Sequence, residues 1–152
     1  MVPARFAVAT HILLLLARPP DPGEDRAAPA APAAGTSATS FWLAARVHTN
    51  PVVVRRISGQ LARAGLLRVR RGAGGAALAR PPADITLEDV WGAINGDMPR
   101  PLLALHAKAA GAEHLERAHA VLAAAFGEAE AAFRGGLRRI TLRHLADRMA
   151  HL

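Results

Sequence analysis

Phe6, Ala9, Ile12, Leu13 and Leu16 recur at the three- and four-residue spacing of a helix face, which predicts a packed first helix over about residues 4–17. Apolar positions resume at Phe41, Leu43, Ala44 and Val47, behind Ser40 as a candidate N-cap for a short helix. His48 and Thr49 then make a turn. Asn50 and Pro51 form an N-cap and first-position pair, so a further helix should run from there to about Ala64, where Gly65 can end it. Val54, Ile57, Ser58 and Leu61 share one face of this helix, and Val52, Arg55, Arg56, Gly59 and Arg63 share the other. Beyond it the period changes to two: Leu67, Val69 and Arg71 alternate with Arg68 and Arg70. Gly72-Ala73-Gly74-Gly75 can turn that strand, Ala76 to Ala79 return, and Arg80-Pro81-Pro82 stop the hairpin.

Thr86 and Asp89 have the spacing of a capping box, with Ile85 and Val90 placed as its hydrophobic staple. A helix over about residues 87–95 follows, with Leu87, Val90, Trp91 and Ile94 inward; Asn95-Gly96-Asp97 and Pro99 to Pro101 break it. The longest stripe comes next, over about residues 112–134. There Leu115, Ala118, Leu122, Phe126, Ala129 and Phe133 repeat close to every 3.5 residues, the rule that buries a helix pair between two chains. Packing against its own domain is the competing use of this stripe, but a domain this small has already spent its core face, which favours dimerisation. Thr141 to Leu152 adds an amphipathic helix, with Leu142, Leu145, Met149 and Leu152 on one side, placed to brace the dimer. The pattern is mainly α with a small β-wing: a winged helix-turn-helix over residues 1–95, then a long C-terminal dimerisation helix and a last helix within 96–152. Residues 18–39, rich in alanine and proline, bury little and should form a flexible surface loop.

Charge sharpens this picture. The chain of 152 residues has a formal net charge of +7, and from Ala27 to Ala83 it carries eight arginines and no aspartate or glutamate. Such a block favours a polyanionic partner, because a duplex presents about one negative charge per 1.7 Å of its axis. The absence of cysteine excludes disulfides, thiolate metal sites and cysteine nucleophiles together. The first residues superficially follow an export signal, but Thr10 and His11 interrupt the apolar run and Arg18 follows directly. That run is also well short of the roughly 20 apolar residues a bilayer requires, so a cytoplasmic protein is expected.

In sum these residues resemble the Rrf-two family of bacterial winged-helix transcription regulators. The likeness rests on Asn50-Pro51-Val52-Val53-Val54-Arg55-Arg56, on Leu61 with Ala64-Gly65-Leu66-Leu67, on Arg71-Gly72-Ala73-Gly74-Gly75, and on Leu78-Ala79-Arg80-Pro81 with Ile85-Thr86-Leu87-Glu88-Asp89-Val90. It implies a dimer that reads double-stranded DNA operators, probing the major groove with the helix of residues 50–64 and the backbone or minor groove with the wing of residues 67–79. On that likeness Asn50, Val52, Val53, Arg56 and Gln60 approach base edges and Arg55 and Arg63 approach phosphates. Arg68, Arg70 and Arg71 serve the wing, where Gly72, Gly74 and Gly75 permit close backbone approach. The chemistry is suitable: arginine pairs with guanine, glutamine with adenine, and valine touches a thymine methyl. Leu115, Leu122, Phe126, Ala129 and Phe133 form the implied dimer interface.

Many members sense through three cysteines before the dimerisation helix. Here the corresponding region, about 97–113, has none, and the place of the Cys-Pro-x-Gly pattern reads Lys108-Ala109-Ala110-Gly111. The chain therefore looks like a cluster-free branch, with no cofactor expected. Three alternatives remain: a protein-interaction module using the 112–134 stripe, a secreted basic protein, and a metal-responsive regulator using His106, His114 and His119. Those histidines lack ligand spacing such as His-Glu-x-x-His. An enzyme is not expected, because no set of nucleophile, base and orienting group stands out.

Overall fold

The structure, a computed structural model of the chain, describes residues 3–17, 38–70, 75–96, 103, 105 and 113–151. Helix α1, Pro3–Ala17, lies at its centre, where Ala9, Ile12 and Leu13 are fully buried against neighbours on α3, α4, α6 and the hairpin. Burial of each such large aliphatic side chain contributes about 1.5–3 kcal/mol.

Helix α2 spans Ser40–Arg46, and its N-cap is Thr39 rather than Ser40: the Trp42 amide donates to Thr39 Oγ1 at 3.2 Å. The hydroxyl that reaches the third amide of the helix sets the boundary, which moves Ser40 inside it. His48, with φ of 49°, turns the chain into α3, Pro51–Arg63. There Asn50 Oδ1 accepts from the Val52 amide at 2.8 Å, and Val54, Ile57, Ser58 and Leu61 are buried as their spacing predicts. Gly65, at φ +70°, closes the helix. Its amide donates to Ala62 O at 3.0 Å and that of Leu66 to Leu61 O at 2.9 Å, the paired bonds of a Schellman motif.

Strands β1, Leu67–Arg70, and β2, Gly75–Leu78, pair antiparallel, with Leu67 opposite Leu78 and Arg70 opposite Gly75. Leu67 is buried at the root of the hairpin, whereas Val69 is 53% exposed, because the hairpin projects beyond the core. Ala38 adds a rung: its amide donates to Ala76 O at 3.1 Å, and the Ala76 amide returns a bond at 2.7 Å. Ala38 and Thr39 are thus fixed in place, and the rest of the expected 18–39 loop lies outside the described residues.

A short 3₁₀ turn, Pro82–Asp84, leads to α4, Leu87–Asn95, which starts at the expected capping box. The Asp89 amide donates to Thr86 Oγ1 at 3.1 Å and the Thr86 amide to Asp89 Oδ2 at 2.9 Å, with Ile85 and Val90 fully buried beside them. Helix α5 runs from Glu113 to Arg138, four residues past the stripe's expected end and through Gly135 and Gly136. Two glycines disfavour a helix by about 1 kcal/mol each. Tertiary ties oppose that cost here: Arg134 Nε lies 2.9 Å from Glu88 Oε1, Arg138 Nη2 lies 3.7 Å from the same oxygen, and Phe133 packs edge-on to Trp91 at 5.1 Å between centroids.

The last helix, α6, Leu142–Met149, begins at a second capping box of Thr141 and His144. Here the same tripeptide recurs. Ile85-Thr86-Leu87 and Ile140-Thr141-Leu142 lie antiparallel, the Leu87 amide donating to Ile140 O and the Leu142 amide to Ile85 O, both at 2.9 Å. Leu142 is fully buried in the same core as α1 and α3. The leading leucine of this helix is therefore used within the protomer, next to α1, while Met149 of the same helix is 37% exposed. Leu142→Ala should therefore cost about 2–5 kcal/mol in urea unfolding, as other deeply buried leucines do. A loss below 1 kcal/mol would contradict that placement.

Candidate nucleic-acid interface

Because the buried stripe of α3 is turned to the core, its opposite face is left to solvent. Val52 is 63% and Val53 40% exposed, and Arg55, Arg56 and Arg63 are exposed beside them. Among the described residues no ion pair or side-chain hydrogen bond engages Arg55, Arg56, Arg63 or Arg70. On β1, Arg68 and Arg70 occupy alternate positions and so lie on one side of the strand. Arg68 Nη2 reaches only Ala79 O, at 3.4 Å. Arg46 behaves differently: its guanidinium sits 5.1 Å from the Trp42 ring, a cation–π contact near the base of α2. Carboxylates on later elements carry ion pairs, among them Glu88 with Arg134 and Arg138, Asp89 with Arg80, and Asp147 with Arg143.

Two expected contact residues engage groups of their own protomer. Asn50 is exposed, but its side-chain oxygen caps α3. Gln60 does not share the outward face: Arg5 Nη2 donates to its Oε1 at 2.6 Å and its Nε2 approaches Ile94 O at 3.5 Å, so the amide joins α1, α3 and α4. Its position three residues after Ile57, a buried residue, is the signal that placed it at the seam. Gly75 opens β2 with φ of 60°, while Arg71, Gly72 and Gly74 lie outside the described residues.

On α5 the stripe divides. Leu115 is 45%, Val121 69% and Leu122 38% exposed, Phe126 is half-buried and Ala129 exposed. Phe133, expected at the dimer interface, packs on Trp91 of its own chain and is still 37% exposed, and Trp91 in turn meets Phe6 edge-on at 5.4 Å. Val121 was not among the expected residues because it lies off the 3.5-residue stripe.

Comparison with known proteins fits this geometry. A family model described as Rrf2, iron-dependent transcriptional regulator, matches residues 2–148. The chain belongs to the Rrf2 family. The Bacillus subtilis protein YwgB, a candidate HTH-type transcriptional regulator, is 30% identical over 147 residues, 95% of this chain and 83% of its own. YwnA of the same organism, likewise a candidate HTH-type regulator, is 37% identical over 94 residues; that match takes in 62% of this chain and 59% of YwnA. A crystal structure of a candidate DNA-binding protein superposes with a TM-score of 0.67 at 28% identity, covering 93% of this chain and 97% of that one. The family is one of transcription regulators, not of enzymes, and the mainly helical fold with its two-stranded wing agrees with it. Among the described residues no helix is long and apolar enough to cross a membrane.

The iron in the Rrf2 description finds no cysteine ligand here. The chain contains no cysteine, and among the described residues no three of His, Asp and Glu are grouped to hold a metal. These residues do not fit a cysteine-held iron–sulfur cluster.

The Arg5–Gln60 bond ties α3 to α1. Arg5→Ala and Gln60→Ala should each destabilise by about 0.5–1.5 kcal/mol, and the double variant by less than their sum. Strict additivity in thermal or urea unfolding would mean that the two side chains do not interact.

Proposed function

We propose that this Rrf2 member is a sequence-specific DNA-binding repressor that acts as a cytoplasmic homodimer. The observation that carries the reading is the outward face of α3: three exposed arginines and two exposed valines, continuous in sequence with a basic wing and free of acids. In a major groove Arg56 and the Val52–Val53 pair meet base edges, while Arg55 and Arg63 meet phosphates. Asn50 contributes through the cap that fixes the first turn of α3. Arg68 and Arg70, with Arg71, Gly72, Gly74 and Gly75, hold the backbone or minor groove. Gln60 is left out, since reading a base would cost its bonds inside the protomer.

The bare part of α5 supplies the second half of the proposal. Leu115, Val121, Leu122, Phe126 and Ala129 form the surface that a second copy covers, which places two reading helices on half-sites one or two helical turns apart. A polar substitution there should act on assembly first. Leu122→Glu is expected to shift sedimentation toward the monomer and to weaken operator binding in parallel; an unchanged dimer would take this face out of the interface.

A gel shift on the DNA upstream of the chain's own gene tests the reading directly. Arg56→Ala should lose about 1–3 kcal/mol on the bound site and relax its base preference. An equal loss on random DNA would reassign Arg56 to phosphate.

A further inference from the structure

A cavity of about 480 Å³ opens between α2, α3 and the wing. That size is within the roughly 300–1,000 Å³ usual for small-molecule sites. Phe41, Ala62 and Val69 are among its apolar lining, and Phe41 and Val69 are 69% and 53% exposed. Such large side chains left uncovered around a concavity are the features of a surface that an apolar group covers. The polar lining is unlike the apolar part in one respect: among the described residues its charged members are Arg55 and Arg70, and both are cations. Neither has an ion-pair or hydrogen-bond partner among the described residues. Ser58, also in the lining, is only 7% exposed, and its Oγ has no hydrogen-bond partner. A buried hydroxyl without a partner costs about 1–3 kcal/mol, and a ligand acceptor would relieve that cost.

We propose that this cavity binds a small amphipathic carboxylate, an apolar body of aliphatic or aromatic carbon with one anionic head. The body lies against Phe41, Ala62 and Val69. The head pairs with Arg55 or Arg70 and is within the chemistry of the Ser58 hydroxyl. A DNA backbone does not meet the same requirements, because its phosphates need cations but offer no apolar body for the cavity wall. Arg55 and Arg70 also belong to the surface proposed for DNA, so ligand and DNA exclude one another; this consequence alone rests on the DNA reading.

Gly59 provides a clean way to close the site. It lines the cavity from α3, and a Cβ built there meets nothing nearer than Arg63 Nη1 at 3.9 Å. A side chain at this helical position also removes the entropy cost of glycine, so Gly59→Leu is expected to fold. The full chain is titrated calorimetrically, without DNA, with decanoate and 4-phenylbutyrate and with the amide of each. At least one carboxylate should bind saturably at one site per chain, about tenfold or more tighter than its amide. Gly59→Leu should abolish that binding with no loss of melting temperature, and Arg55→Gln should weaken it about tenfold while the fold persists. Absence of saturable binding by both carboxylates overturns the site, as does binding that survives Gly59→Leu. Carboxylate and amide binding equally well removes the arginines from it. In the presence of operator DNA the bound carboxylate should lower DNA affinity; unchanged affinity with intact carboxylate binding overturns the exclusion and leaves the titration result standing.

Discussion

Burial of one face of α3 against α2, α4 and α1 is the constraint on which the rest of the molecule depends. Val54, Ile57 and Leu61 are at most 1% exposed. At about 1.5–3 kcal/mol per aliphatic side chain, this burial exceeds anything the exposed arginines contribute to folding. Once it is satisfied, helical geometry leaves Val52, Arg55, Arg56 and Arg63 no choice but the opposite face. The same packing fixes the end of the helix: Leu61 and Ala62 supply the carbonyls of the Schellman motif, and Leu66 and Leu67 enter the core immediately after Gly65. The wing therefore starts from a rigid root, at a set angle to the arginine face. Function is a remainder here, the surface left when the apolar requirement has been met.

Around that centre, ties distant in sequence make the two ends of the chain one body. Phe6, Trp91 and Phe133 link α1, α4 and α5 edge-to-face, and Glu88 holds the last turns of α5 through two arginines. The paired Ile-Thr-Leu segments lock the start of α6 to the start of α4. Each threonine caps its own helix while its neighbours exchange backbone bonds with the other segment. Both motifs need the same extended backbone at the cap, φ −96° and ψ 161°, so capping and pairing reinforce one another. This gives α5 a fixed half next to α4 and a bare half beyond it.

Much of this was legible in the residues. Local signals with a single mechanism placed their elements to within a residue: Asn50-Pro51 at the start of α3, Gly65 at its end, Thr86 with Asp89 at α4. The apolar periods likewise identified the buried stripes of α1 and α3. What escaped were outcomes decided by partners far along the chain. Gln60 has the right chemistry for a base edge, yet Arg5 lies 55 positions away and only the fold brings them together. Phe133 continues the α5 stripe without a break, and nothing local says that it also meets Trp91. Val69 alternates properly with its neighbours but lies past the edge of the core, so it borders an open cavity and stays 53% exposed. The α5 stripe ends near residue 134, and the helix continues to Arg138 where Glu88 meets Arg134 and Arg138.

The central claim is that the packing of α3 presents an arginine face and a basic wing to a duplex. Its most direct test is the salt dependence of DNA affinity, measured by fluorescence anisotropy on the operator and on a random duplex. Binding to both should fall linearly on logarithmic axes, by about 0.9 per phosphate neutralised, and replacement of Arg55, Arg63 and Arg68 together by glutamine should flatten the slope. A slope near zero for the native chain, or one that the triple replacement leaves unchanged, would contradict the account.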